Sequence, residues 1–280
     1  MNVRIVVDST ADVSDEIRAK LSVVPLTVHF GEQEYVDGIT INHKQFYEML
    51  VETDVLPTTS QPSPEAFAQV FRQAQEAGEQ VVALTVASKL SGTCQSAMIA
   101  AADYPGPVWV VDTKTVAIGC GILAELAVRL KEEGLSAPEI VARLEEEREN
   151  VRVIALLDTL EYLKKGGRIS KTVAFAGGLL SIKPVVTIQD GEISILGKAR
   201  GSKQGNNLLV TEIQKSGGVD FSKPLMLGYT GLSDALLEKY VLDSGSLWDG
   251  HGDCLQSTAI CSVIGTHAGP GAIAVAFFKA

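Results

Sequence analysis

The sequence predicts an α/β fold in two domains, an N-terminal domain on a parallel sheet (residues 1–150) and a C-terminal α+β domain with a mainly antiparallel sheet (residues 151–280). Three observations carry this. Through the first half, short apolar runs alternate with stretches of helical periodicity, the pattern of βαβ crossovers whose sheet is covered on both faces. After Asn150 the texture changes to closely spaced strands, two of them joined by Asp190-Gly191, a tight-hairpin signal. A length of 280 residues suffices for two modest hydrophobic cores.

In order, Val3 to Val7 reads as a strand closed by the polar turn Asp8-Ser9-Thr10-Ala11-Asp12, and Val13 to Leu21 as an amphipathic helix. Ser63-Pro64-Glu65 opens a helix with an N-cap serine and a proline at its first position, and Gly78 ends it. Strands are expected at Gln80 to Val86 and Val108 to Asp112, with a helix from Gly92 to Ala102 between them and another from Val116 to Glu133 beyond. Ser136-Ala137-Pro138-Glu139 is a capping box that starts a helix reaching Asn150. Val151 to Leu157, Lys183 to Gln189 and Glu192 to Leu196 read as strands of the second domain, and Gly197 to Lys203 as a basic loop after the hairpin.

Composition narrows the function. With 24 basic against 34 acidic side chains the formal charge is -10, which argues against a nucleic-acid partner. There is no run of roughly 18 or more apolar residues, so membrane contact is expected to be transient at most. The hydrophobic content of 46% and mean hydropathy of +0.18 therefore serve soluble cores or a pocket. The N-terminal residues lack a signal-peptide pattern, and a cytoplasmic location is expected. Cys94, Cys120, Cys254 and Cys261 match neither a metal clip nor a secreted disulfide framework and read as buried thiols.

Polar residues gather in four loops, the places where α/β sheets bind ligands. Thr58-Thr59-Ser60-Gln61-Pro62 and Ser88-Lys89-Leu90-Ser91-Gly92-Thr93 each precede a helix N-terminus and can offer hydroxyl and backbone donors to an anion, or simply cap the helix. Lys164-Lys165-Gly166-Gly167-Arg168-Ile169-Ser170 places a guanidinium beside two glycines, either to bind an oxyanion or as a solvated turn. Gly265-Thr266-His267-Ala268-Gly269-Pro270-Gly271 puts a histidine in a glycine-rich turn, where a structural role is the commoner one.

Other patterns fail. Gly119-Cys120-Gly121-Ile122-Leu123-Ala124 fits G-x-G-x-x-A, but the chain about 20 residues on is helical where a dinucleotide fold needs a strand-end acid. Phosphate-loop, hydrolase-elbow and zinc-protease signatures are missing. Ser91, His267 and Asp112 form a nominal triad that only geometry could make real.

Taken together and in order, Asp8-Ser9-Thr10-Ala11-Asp12, Thr59-Ser60-Gln61-Pro62, Ser88 to Thr93, Leu157-Asp158-Thr159-Leu160-Glu161-Tyr162-Leu163 continuing to Ser170, Ile182-Lys183-Pro184 and His267 to Gly271 resemble the DegV family of bacterial fatty-acid-binding proteins over essentially the whole chain. The resemblance implies a two-domain protein with an acyl chain in a tunnel beneath the domain interface. Thr59 and Ser91 would hydrogen-bond the carboxyl group, with His267 and Arg168 completing the polar cluster. A separate fatty acid kinase would phosphorylate the bound fatty acid for phospholipid synthesis, and Arg200 would lie on the surface that meets it. No catalytic residue, cofactor or metal is implied. Ala87 replaces a serine and Cys94 a tyrosine common among relatives, and the smaller side chain at 94 is expected to alter pocket shape. The competing classes are a hydrolase or acyl transferase using Ser91 or His267, and a sensor of lipid status.

Overall fold

In a computed structural model that describes residues 2–104, 106–169, 182–252 and 255–280, the chain builds a parallel sheet, a small antiparallel sheet and a larger, mainly antiparallel one. Ser170 and Cys254 lie outside the described residues.

The first 60 residues form β1 (Val3–Asp8), α1 (Asp15–Arg18), β2 (Ser22–Val24), β3 (Thr27–Phe30), β4 (Gln33–Val36), α2 (His43–Glu52) and β5 (Thr58–Ser60). The helix expected over Val13 to Leu21 shrinks to α1. Ser14 caps it, and after one turn the amides of Lys20 and Leu21 bond three residues back to Ile17 and Arg18, tightening the chain into β2. Thr58 to Ser60, expected as loop, is an edge strand of the order β4-β3-β5. Asn42 and Gln45 close a capping box on α2.

Next come α3 (Pro64–Glu76), β6 (Gln80–Thr85), α4 (Thr93–Ala102), β7 (Val108–Asp112), α5 (Ile118–Glu132) and α6 (Ala137–Glu147). Strands β2-β1-β6-β7 pair in parallel, as the βαβ pattern requires. Alternation divides the faces: Val6, Val81 and Ala83 pack with Phe67, Phe71 and Ala97 from α3 and α4, whereas Ile5, Val7, Val82 and Leu84 pack with α5 and α6.

The remainder forms β8 (Val151–Leu156), α7 (Glu161–Lys165), β9 (Ile182–Gln189), β10 (Glu192–Arg200), α8 (Gly201–Lys215), β11 (Met226–Tyr229), α9 (Ala235–Asp243), β12 (Ser257–Ala259), α10 (Ser262–Ala268) and β13 (Ile273–Phe278). The sheet order is β10-β9-β8-β13-β11-β12, antiparallel except for β11 with β12. Asp190 and Gly191 both have positive φ, the backbone a two-residue hairpin turn needs. Two expectations are corrected here. The basic segment Gly197 to Lys203 is no loop: β10 bulges at Ile195/Gly197 and runs to Arg200, where α8 begins. His267 sits in the last turn of α10, which ends at Gly269 with φ 72, so the helix stops at the glycine rather than before it.

Helix α5 lies between the two large sheets and packs against β1, β6, β8, β11 and β13. It is buried almost all round, as a helix in such a place must be. The glycines of the rejected dinucleotide pattern make this approach possible. A methyl group on Gly121 would run into the carbonyl oxygen of Asp12, and one on Gly119 into Thr115 and Val153. Alanine favours a helix over glycine by about 1 kcal/mol, but the rigid backbone carbonyl cannot yield. Gly121→Ala is therefore expected to destabilise the fold by about 1–3 kcal/mol, measured by urea denaturation; a stabilised variant would contradict the close approach.

Candidate functional site

Four segments distant in sequence meet at one cavity of about 120 Å³. Its lining is mostly aliphatic, from β8, β9, β10, β13 and the start of α5, while Thr59, Ser91, Arg168 and His267 all contribute to its wall. The floor owes its room to a row of small residues. Strand register sets Ala155 opposite Ala274, and Ala274 opposite Gly228, so three adjacent strands present almost no side chain at this level.

The polar residues are held by backbone geometry. Thr59 lies in mid-strand of β5, opposite Val28, and its Oγ1 is 3.0 Å from His267 Nε2. Gly92 has no side chain because the Gln61 amide fills that space, and Gln61 Nε2 donates to Ser96 Oγ of α4 at 3.1 Å. This joins the Thr59 strand to the Ser91 turn. Ser91 Oγ is 2.8 Å from Thr93 Oγ1 and accepts from the Thr93 amide. Arg168 donates from Nε to the Leu90 carbonyl at 3.1 Å and from Nη1 to that of Gly166 at 2.7 Å. Gly166 lies against the His267 ring, where any Cβ would strike Nδ1.

The turn Asp8 to Asp12 ties the segments around the cavity together through buried hydrogen bonds. Asp8 Oδ1 accepts from the Thr10 amide at 2.9 Å, and Oδ2 accepts from the Val86 amide at 2.8 Å, just before the Ser91 turn. Ser9 Oγ accepts from the Leu26 amide. Asp12 and Asp37 accept from the Cys261 and Ser262 amides at 2.9 and 3.2 Å, holding the start of the helix that carries His267. Burial pushes all three carboxyls above the usual carboxylate range, Asp12 well above it. Thr10 and Thr230 also line the cavity, and no sequence motif marks Thr230. Thr10 stands at the carboxyl end of β1 within the Asp8-Ser9-Thr10-Ala11-Asp12 motif of the family resemblance.

Other expectations are corrected by place. Cys94 is buried but does not line the cavity, so its size does not shape that wall. Cys120 is buried too, whereas Cys261 is partly exposed. The nominal triad does not assemble: Ser91 bonds Thr93, His267 bonds Thr59, and Asp112 Oδ1 accepts from the amides of Ser88 and Lys114. Arg200 stands exposed at the start of α8, away from the cavity lining, its amide donating to Gln204 Oε1. Among the described residues no helix is long and apolar enough to cross a membrane, and no group of three or more His, Cys, Asp or Glu side chains is placed to hold a metal ion.

The electrostatics suit one small anion. Desolvation lowers the pKa of Arg168, but a guanidinium stays charged. Burial, and then the charge of Arg168, bring His267 down to about 4, so the imidazole is neutral at pH 7. In the unfolded chain the same group titrates near 6.5. Protonation thus favours unfolding: the stability linked to His267 is full above pH 6.5 and is lost as pH falls toward 4, by about 3 kcal/mol in total. His267→Gln should remove this part of the acid sensitivity. Urea denaturation across the window, with NMR titration of the ring, checks it; a ring that titrates near 6.5 in the folded protein would contradict the burial argument.

The same arrangement of sheets occurs in known proteins. The curated relatives include a DegV domain-containing protein of Deinococcus radiodurans, 36% identical over 99% of this chain and 98% of its own. Among solved structures, a DegV family protein from Thermus thermophilus described for its fatty acid binding aligns with a TM-score of 0.89 at 33% identity, covering 100% of both chains. A stearic acid-binding protein from Eubacterium ventriosum aligns with a TM-score of 0.86 at 29% identity, covering 100% of this chain and 98% of that one. The family described as "Uncharacterised protein, DegV family" matches residues 2–280, which include every strand and every residue lining the cavity, and the chain belongs to that family.

Proposed function

We propose that this protein binds a long-chain fatty acid, its carboxylate at Thr59, Ser91, Arg168 and His267 and its acyl chain along an apolar tunnel between the two large sheets. The observation that carries the reading is the convergence of these four side chains, from β5, the Ser91 turn, the segment after α7 and α10, on a cavity walled mostly by aliphatic groups. The fatty acid binding described for the Thermus thermophilus and Eubacterium ventriosum proteins supports it.

Physical chemistry assigns different work to the two ends. Each buried methylene contributes roughly 0.8 kcal/mol, so a dozen or more supply a large gross driving force before ordering costs. The carboxylate is expensive to desolvate unless donors replace water, and here a guanidinium, two hydroxyls and a neutral imidazole stand ready. Affinity comes from the tail, and orientation from the head. The protein supplies no catalytic group on this reading; it presents the carboxylate to a separate fatty acid kinase, which forms the acyl phosphate. Arg200, exposed and outside the cavity, is the residue we assign to kinase docking.

Mass spectrometry of gently denatured protein should detect a released free fatty acid, whereas a covalent acyl adduct on serine would favour an acyl-transfer enzyme. Thr59→Ala and Ser91→Ala should each weaken binding by about 1.5–3 kcal/mol, the usual worth of a hydrogen bond to a charged group; equal affinity of the parent protein for a fatty acid and its methyl ester would refute this placement of the head. Arg200→Ala should leave fatty acid affinity and thermal stability nearly unchanged while slowing phosphorylation of the bound lipid. Loss of affinity in proportion to phosphorylation would move Arg200 into the pocket and end its docking role.

A further inference from the structure

A second, polar groove of about 390 Å³ draws its lining from both large sheets. From the parallel half come Lys114, just after β7, and Arg148 and Glu149, just after α6. From the six-stranded half come Arg152 of β8 and Glu212 and Lys215 of α8. With Asp190 at the hairpin tip, four cationic side chains stand against three carboxylates. A local excess of positive charge is notable on a chain whose formal charge is -10, and seams between sheets are where small-molecule sites commonly form.

Two guanidinium groups in this groove are short of acceptors. Arg148 donates from Nη1 to the Asp112 carbonyl at 2.8 Å, and its Nη2 stands 3.7 Å from Glu145 Oε1. Its Nε is buried with no hydrogen-bond partner among the described residues, because Glu149 Oε1, at 3.6 Å, is too far to accept. Arg152 uses Nη1 twice, for the carbonyls of Glu149 at 3.0 Å and Val151 at 2.8 Å, and among the described residues no carboxylate pairs with it. A buried cationic donor without an acceptor is costly. Glu149 meets the demand only in part. Its Oε1 accepts from Lys114 Nζ at 2.6 Å, and Lys114 itself sits at φ 54, an uncommon backbone for a residue other than glycine.

We infer that the groove is a binding site for a small phosphate monoester, held by Lys114, Arg148 and Arg152 with Lys215 beside them. Such a group carries nearly two negative charges at neutral pH and several acceptor oxygens, enough to meet two guanidinium edges and an ammonium at once. Charge sets the preference. A monoanion brings no more than the Glu149 carboxylate already supplies, whereas a dianion outbids it. Glu149 is then a built-in competitor, displaced from Lys114 when the ligand enters. The site does not depend on acyl binding: Thr59, Ser91, Arg168 and His267 all lie outside the lining of this groove. Because groups from both sheets grip one ligand, its binding also stabilises the folded chain.

The test is calorimetry of the full chain with methyl phosphate, a dianionic monoester, and dimethyl phosphate, its monoanionic diester, at neutral pH and fixed ionic strength. Methyl phosphate should bind at one site with a Kd of about 1 mM or tighter, and dimethyl phosphate about tenfold or more weakly than that. Arg152→Ala should weaken methyl phosphate about tenfold or more, and Glu149→Gln, which removes the competitor, should tighten it about threefold or more. Arg152→Lys keeps the charge and loses the forked donors; it should weaken binding about threefold or more, and it decides the matter should the alanine variant not fold. No saturation up to about 10 mM overturns the site. So does equal affinity for the two probes, or an affinity that neither Arg152→Lys nor Glu149→Gln changes, since the phosphate then binds elsewhere on the chain.

Discussion

Buried aspartate carboxyl groups that accept backbone amides from remote segments set the geometry around the cavity. Asp8, Asp12 and Asp37 are almost wholly removed from water, a position that is costly unless donors replace the lost hydration. The donors come from the β6 turn at Val86 and the start of α10 at Cys261 and Ser262. Each bond ties a loop to the carboxyl end of β1 or to the small sheet. Because α10 spans only Ser262–Ala268, fixing its first amides also fixes His267 in its last turn. The polar head of the site is thus an indirect product of a turn that touches the cavity through Thr10 alone.

The same geometry keeps Ser91, His267 and Asp112 from forming a nucleophilic triad. A nucleophilic serine needs a base within hydrogen-bond reach and that base needs an orienting acid. Here the imidazole faces a threonine, the serine faces another threonine, and Asp112 is committed to backbone amides. On the proposed function, what remains would serve as a preset anion site: one fixed cation, hydroxyl donors and a histidine kept neutral by burial and by Arg168. An incoming carboxylate offsets the charge of Arg168 and supplies an acceptor where water has been excluded.

The apolar part depends on absence of side chain more than on its presence. Ala155, Ala274 and Gly228 lie side by side across β8, β13 and β11, while Gly119 lets α5 approach Val153 of β8 closely. Close packing elsewhere leaves little free volume in a protein interior, so a row of small residues under a buried helix is where a cavity persists.

Local chemistry made much of this legible in one dimension. Ser63 and Ser136 start helices because their side chains satisfy free amides there, and Asp190-Gly191 turns a hairpin because both residues tolerate positive φ. Periodicity separated a parallel half from an antiparallel one, since covered and half-covered sheets demand different patterns. The hydroxyl-rich segments around Thr59 and Ser91 stood out by composition, and the ordered set of motifs pointed to the family. Three things needed the tertiary structure. Thr58–Ser60 became a strand and His267 a helix residue because pairing with β3 and the amide bonds to Asp12 and Asp37 outweigh local preference. The glycines at 92, 121 and 166 took their meaning from Gln61, Asp12 and His267, partners far along the chain. The cavity itself arises only when strands with unrelated local sequences fall into register, because free volume belongs to the packed arrangement and to no single segment.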